Sequence, residues 1–191
     1  MSVKTSMPES MEAELLARVA RGDTDAFSAL YDLYAGALFG LALRILRNHA
    51  TAEEVLQDVF CQIWGKASVY DPKLSKPLAW AVTLTRNKAV DRLRRANRRA
   101  QWFDPGPAAE VAAKNFLPEA ANPVLGHETA GMARAALASL PQDQRQAIEM
   151  AFFGGLTQSE IAAALNQPPG TVKALIRRGM LQLHKFLEVL L

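Results

Sequence analysis

Apolar residues recur along this chain at helical spacings of three and four, and no pair of alternating segments suggests a sheet. A short first helix is expected over Met11 to Arg21. Gly22-Asp23 closes it, and Asp23 is suited to cap a longer helix running to about Arg47. That helix would carry Phe27, Leu30, Tyr31, Tyr34, Leu38, Leu41 and Ile45 on one stripe. Thr51-Ala52-Glu53-Glu54 has the form of a capping box opening a helix to about Lys66. Its period turns Val55, Val59, Phe60 and Ile63 inward and Glu53, Glu54, Gln57 and Asp58 largely outward. After a loop from Ala67 to Lys76, Pro77 suits the first turn of a helix that carries Trp80 and Leu84 and continues to Arg99.

The pattern lapses between Gln101 and Gly126, where Pro105, Pro107, Pro118 and Pro123 with Gly106 and Gly126 break any long element. This stretch reads as a flexible linker, with transient helix around Ala108 to Phe116. A second helical unit is expected from about His127. In it, Ser139-Leu140-Pro141-Gln142 gives a capping signature for a helix that ends at Gly154-Gly155. From Leu156 to Leu183 the pattern is that of a helix-turn-helix. Thr157 and Glu160 form a capping box, Ile161, Ala162 and Leu165 share a face, and Asn166 tolerates the left-handed conformation that ends such a helix. Gln167-Pro168-Pro169-Gly170 forces the turn. A second helix from about Thr171 then sets Val172, Leu175, Ile176 and Leu183 against Lys173, Arg177, Arg178 and Lys185. The expected architecture is all-α: two small helical domains, 11–100 and 127–191, joined by a flexible linker over 101–126, with the helix-turn-helix in the second.

Charge sharpens this picture. The whole chain of 191 residues carries a net charge of only +3. Yet Arg86, Lys88, Arg92, Arg94, Arg95, Arg98 and Arg99 face a single acid, Asp91, within one segment, which therefore holds +6. Such focusing suits a polyanion, although a solvated basic face has the same composition. From Thr171 to Lys185 there are four Lys or Arg and no acid, in a helix sized for a DNA major groove. A plain helical hairpin with a wet basic face is the alternative.

Composition excludes other classes. The one cysteine, Cys61, forbids an intramolecular disulfide, fits a reducing cytoplasm and reads as a small core residue. No apolar run approaches the length of a membrane span, and the beginning MSVKTSMPESMEAE is polar and acidic, so a cytoplasmic protein without membrane insertion is expected. His49, His127 and His184 are scattered and no carboxylates have metal-ligand spacing, so no metal, cofactor or catalytic residue is expected.

Taken in order, several short motifs resemble the bacterial RNA-polymerase sigma factors of the extracytoplasmic-function (group IV) type. They are Gly22-Asp23-Thr24-Asp25-Ala26-Phe27 with Leu30-Tyr31, then Ala52-Glu53-Glu54-Val55 with Gln57-Asp58-Val59-Phe60 and Trp64. Trp80, Arg86-Asn87 and Asp91-Arg92-Leu93-Arg94-Arg95 follow, and then Leu140-Pro141, Arg145, Glu160-Ile161-Ala162 and Gly170-Thr171-Val172-Lys173. The resemblance implies a non-catalytic initiation subunit that binds core RNA polymerase and promoter DNA and is controlled by an anti-sigma protein. The first domain would bind polymerase and the −10 element, and the second would read the −35 element.

On that resemblance the polymerase contact falls at Glu53, Glu54, Gln57 and Asp58, with Trp64 either part of it or core. The −10 element would meet Tyr70, Lys73, Trp80, Thr83, Arg86, Asn87, Arg92, Arg94, Arg95, Arg98 and Arg99. A base flipped from the non-template strand would lodge against the loop Tyr70 to Lys76 near Asn87, the residue types that unstacked bases favour. Trp80, spaced helically from Leu84, has a core role as its rival. The −35 element would meet Thr171, Lys173, Ala174, Arg177 and Arg178. The chain departs from the family after Gly170-Thr171-Val172-Lys173. There a small polar residue and an arginine are usual, and Ala174 and Leu175 stand instead. Loss of that guanidinium forfeits a possible bidentate guanine contact worth about 1–3 kcal/mol of discrimination.

Two other classes compete. A conventional helix-turn-helix regulator would explain the C-terminal segment but not the basic helix of the first domain. An enzyme acting on nucleic acid lacks any clustered chemistry.

Overall fold

The computed structural model describes residues 9–103 and 135–190, and among them every regular element is helical. They form two compact units, divided after Asp91 within the fourth helix. The expected transient helix at 108–116 and the beginning of the second unit near His127 lie outside the described residues.

In the first unit, α1 is Glu9–Val19, α2 is Thr24–Leu46 and α3 is His49–Lys66, and α4, Pro77–Phe103, continues from it into the second unit. Asp23 caps α2, its side chain accepting from the Asp25 and Ala26 backbone N–H groups at 3.0 and 2.9 Å. The Ala26 bond and the Arg18 guanidinium hold the Asp23 carboxyl below its usual pKa. The cap of α3 differs from expectation. Helix begins at His49, and Asn48 Oδ1 accepts from Thr51 N and Thr51 Oγ1, each at 2.9 Å. The Thr51–Glu54 motif therefore lies inside the helix, because an Asn three residues ahead captures the same N–H.

The core of this unit comprises Leu16, Val19, Leu30, Tyr34, Leu38, Ile45, Val55, Val59, Phe60 and Ile63 with Ala81, Ala89 and Val90. Tyr34 Oη donates to Glu12 Oε2 at 2.8 Å, tying α1 to α2, and burial raises the phenol's pKa. Two expected core positions fall elsewhere. Tyr31 is 44% exposed, and Cys61 is exposed on the outer side of α3. Contrary to the sequence expectation, α2 is long and apolar enough to cross a membrane by length and composition. It packs Leu30, Tyr34, Leu38 and Ile45 into this core.

In the second unit a helical turn at 135–138 leads to α5 (Gln142–Phe152), α6 (Gln158–Leu165) and α7 (Pro169–Leu190). The capping signature expected before α5 is not used. Pro141 occupies the cap and makes no side-chain bond, while Ser139 Oγ donates to the Ala136 carbonyl at 2.7 Å. The capping box of α6 is formed: Glu160 Oε2 accepts from Thr157 N at 2.7 Å, and Thr157 Oγ1 accepts from Glu160 N at 3.3 Å. Those bonds, the backbone one foremost, depress the Glu160 pKa. Asn166 ends α6 in the left-handed region at φ 50°, as its short polar side chain allows. Ala147, Met150, Ile161, Ala162, Val172 and Leu175 form the core that fixes α7 across α6.

Candidate polymerase and nucleic-acid interfaces

Helix α3 separates its faces cleanly. Val55, Val59 and Ile63 are buried, while Glu53, Glu54, Gln57, Asp58 and Cys61 are exposed along the other side. Trp64 divides between the two roles left open by sequence. It is 39% exposed and meets Phe27 edge-on with ring centroids 5.1 Å apart. Tyr31 continues the aromatic surface by packing on Phe60 at 4.6 Å, a contribution from α2 that its helical stripe alone had placed inward. Asp58 does not face solvent alone: its Oδ2 lies 3.0 Å from Lys88 Nζ and so links α3 to α4.

The loop before α4 is internally braced. Tyr70 Oη donates to the Ser75 carbonyl at 2.7 Å, and its ring packs on Trp80 at 5.4 Å. Asp71 Oδ1 accepts from Lys73 N at 2.8 Å. Burial, ahead of the Asp71 charge, raises the Tyr70 pKa. Tyr70 and Trp80 are thus half-buried partners of each other, and the apolar groups that the loop presents are Val69 and Leu74, at 75% and 83% exposure. Sequence reasoning missed both. Isolated aliphatic residues in a loop give no periodic signal.

Along α4, Thr83 and Asn87 are exposed and Arg86 is half-buried, with Arg86 Nη1 donating to Asn87 Oδ1 at 3.3 Å. Thr83 Oγ1 donates back to the Ala79 carbonyl at 2.8 Å, which leaves its lone pairs outward. Arg92, Arg94, Arg95, Arg98 and Arg99 are all exposed on the helix. Arg94 groups with the second unit, where its Nε and Nη2 donate to the Gly155 carbonyl at 3.1 and 2.7 Å. A phosphate oxygen is a stronger, charge-assisted acceptor for the same fork.

In α7, Lys173, Arg177 and Arg178 are exposed while Thr171 and Ala174 are half-buried. Arg178 Nε donates to the Ala174 carbonyl at 3.3 Å. Leu175 is 5% exposed and belongs to the core. The residue standing where the family has arginine is therefore packing the unit from within. Met180 and Leu181, 54% and 55% exposed, extend the outer side of α7 among its cations. Among the described residues no group of three His, Cys, Asp or Glu could hold a metal ion.

A braced loop, a basic helix and a helix-turn-helix with a cationic outer face define a helical DNA-reading protein. The model of Sigma-70 region 2 matches residues 30–99, and that of Sigma-70, region 4, matches residues 130–183. The chain is 35% identical over 166 residues to the ECF RNA polymerase sigma factor SigK of Mycobacterium sp. (strain KMS), covering 87% of this chain and 85% of that one. It is 35% identical over 183 residues to SigK of Mycolicibacterium vanbaalenii, covering 92% and 88%. Among solved structures it is similar to Rhodobacter sphaeroides SigE in complex with the anti-sigma ChrR, at 29% identity, 94% and 99% coverage and a TM-score of 0.48. The chain belongs to the sigma-70 family, in its extracytoplasmic-function (ECF) group. It is an initiation factor that directs RNA polymerase to promoters.

Proposed function

We propose that residues 11–100 bind core RNA polymerase and the −10 element, and residues 127–191 read the −35 element, with 101–126 between them as linker. The observation that carries this reading is the pairing, in one chain, of an exposed acidic and amide face on α3 with the exposed cations of α4 and α7. Glu53, Glu54, Gln57, Asp58 and the open edge of Trp64 suit a basic, polar helical surface on the polymerase. Tyr70 and Trp80 shape the loop against which an unstacked base lodges. Lys73, Thr83, Arg86 and Asn87 offer polar contacts, and Arg92, Arg94, Arg95, Arg98 and Arg99 take phosphates. Thr171, Lys173, Ala174, Arg177 and Arg178 meet the upstream duplex.

The chain acts in the cytoplasm, catalyses nothing itself and needs no cofactor. An anti-sigma protein is its expected regulator, as the family resemblance implies. Runoff transcription with bacterial core enzyme over a promoter library tests the reading. Specific starts that depend on this chain are expected, and initiation no better than core enzyme alone would refute it.

A further inference from the structure

On α7 the residues that meet the core recur as Val172, Leu175 and Gly179, so a buried glycine continues the packed stripe. Opposite it, on α5, stand Gln144 and Ile148, one helical turn apart. A carbon at the Gly179 Cβ position would lie 2.5 Å from Ile148 Cδ1, 3.3 Å from Gln144 Cβ and 3.5 Å from Gln144 Oε1. The Ile148 methyl can swing aside, but that side chain is only 7% exposed and has little room. Gln144 Cβ is fixed to its backbone, so it yields only if α5 yields. Gln144 Oε1 is buried there without a hydrogen-bond partner, which places no polar group of α7 in that gap.

We propose that Gly179 is a positioning residue for the DNA-reading helix: its missing side chain lets α5 and α7 meet, and that contact sets how α7 presents its cations. The proposal rests on α7 being the upstream-element helix. Val172 and Leu175 anchor the first half of α7 against Ile161 and Ala162. A side chain at 179 presses on the helix beyond that anchor, so α7 pivots. Arg177 and Arg178, nearest the pressure, are displaced more than Thr171 and Lys173.

The test measures binding of the full chain, together with core polymerase, to a promoter duplex selected from the runoff library. Gly179→Ala is expected to weaken binding about three- to tenfold, as partial loss of one or two contacts does. Thermal stability should fall only modestly in the same variant, because the better helix propensity of Ala offsets part of the crowding against Ile148 and Gln144. A merely structural glycine would not split the two readouts in this way. Ile148→Val removes Cδ1. Added to Gly179→Ala it should recover most of the lost affinity, and alone it should leave binding within about twofold. Affinity for core polymerase should be unchanged throughout. Wild-type binding by Gly179→Ala overturns the inference, as does a loss that Ile148→Val leaves in place. Loss of helical circular dichroism in both the single and double variants also overturns it, by assigning Gly179 to folding. If the wild-type chain itself ignores the duplex, the reading of α7 falls and takes this inference with it. Intact wild-type binding beside an unaffected variant sinks the inference alone.

Discussion

Leu175 lies at 5% exposure among Ala147, Met150, Ile161, Ala162 and Val172. A side chain in that setting contributes through apolar burial, and its deletion leaves a cavity as well as lost transfer energy. Leu175→Ala should cost about 2–5 kcal/mol of the second unit's stability. Urea unfolding followed through that unit checks the figure, and a midpoint within error of wild type would contradict it. Restoring the family's guanidinium by Leu175→Arg should also destabilise rather than sharpen guanine discrimination, since an unpaired charge would enter the core. The apolar side of this limit was legible in the sequence, where Leu175 falls with Val172 and Ile176 opposite the cations. What the sequence left open was whether the family's DNA-contact reading of this position still applied, and the packing of Leu175 with Ala147, Met150, Ile161, Ala162 and Val172 assigns it to the core. Cys61 illustrates the opposite error. A small, weakly polar residue flanked by Phe60 reads as core, yet the angular step of one residue carries it out to the polar face of α3.

Helix beginnings separate what local sequence determines from what it leaves open. Asp23, Thr157 and Asn166 act as their residue types suggest, because each bond they make spans only a few residues. Thr51 and Ser139 carry the same chemistry but lose to a competitor three residues ahead, Asn48 in one case and the Ala136 carbonyl in the other. Thr157→Ala should destabilise the second unit by about 1 kcal/mol, read from its denaturation midpoint. Glu160 adds a pH signature. Its folded pKa lies below its ordinary 4.5, so the stabilisation it gives is full above that value. The stabilisation fades as acid titrates the folded carboxylate, because the unfolded state then binds more protons than the folded. Glu160→Gln should therefore flatten the acid limb of stability below about pH 4.5 while changing little at pH 7. Parallel acid limbs for the two proteins would exclude Glu160 as the source.

Across the whole molecule the separation of charge outweighs its small net value of +3. If Arg95, Arg98 and Arg99 meet phosphates, each substitution to Ala should lower the slope of log affinity against log salt by roughly 0.7–0.9. Affinity should fall nearly uniformly over promoter variants, and a loss confined to particular base pairs would assign direct readout instead. Asp58→Asn removes half of a partly exposed ion pair, so it should cost under about 1 kcal/mol of stability. A much larger loss of core-polymerase affinity in that variant would place Asp58 in the interface, and equal small losses would leave it as the brace to Lys88. The sequence made the two-part helical plan, the acidic outer side of α3 and the cations of α4 and α7 legible, because periodicity and charge are written residue by residue. It could not show the Asp58–Lys88 pair, the Tyr70–Trp80 packing or the exposure of Leu74, which depend on contacts across elements or on the path of a loop.

The Tyr70 hydroxyl on the Ser75 carbonyl has a consequence for timing. A slack segment must surrender its freedom in the encounter itself, and the encounter is slower and weaker for it. The Tyr70–Ser75 bond limits that freedom in advance, so a strand docking here as proposed would find a shape already set, with Leu74 at its brow. Selectivity at such a ledge would then come from which bases can leave the stack to reach it, and less from how far the protein will bend to receive them.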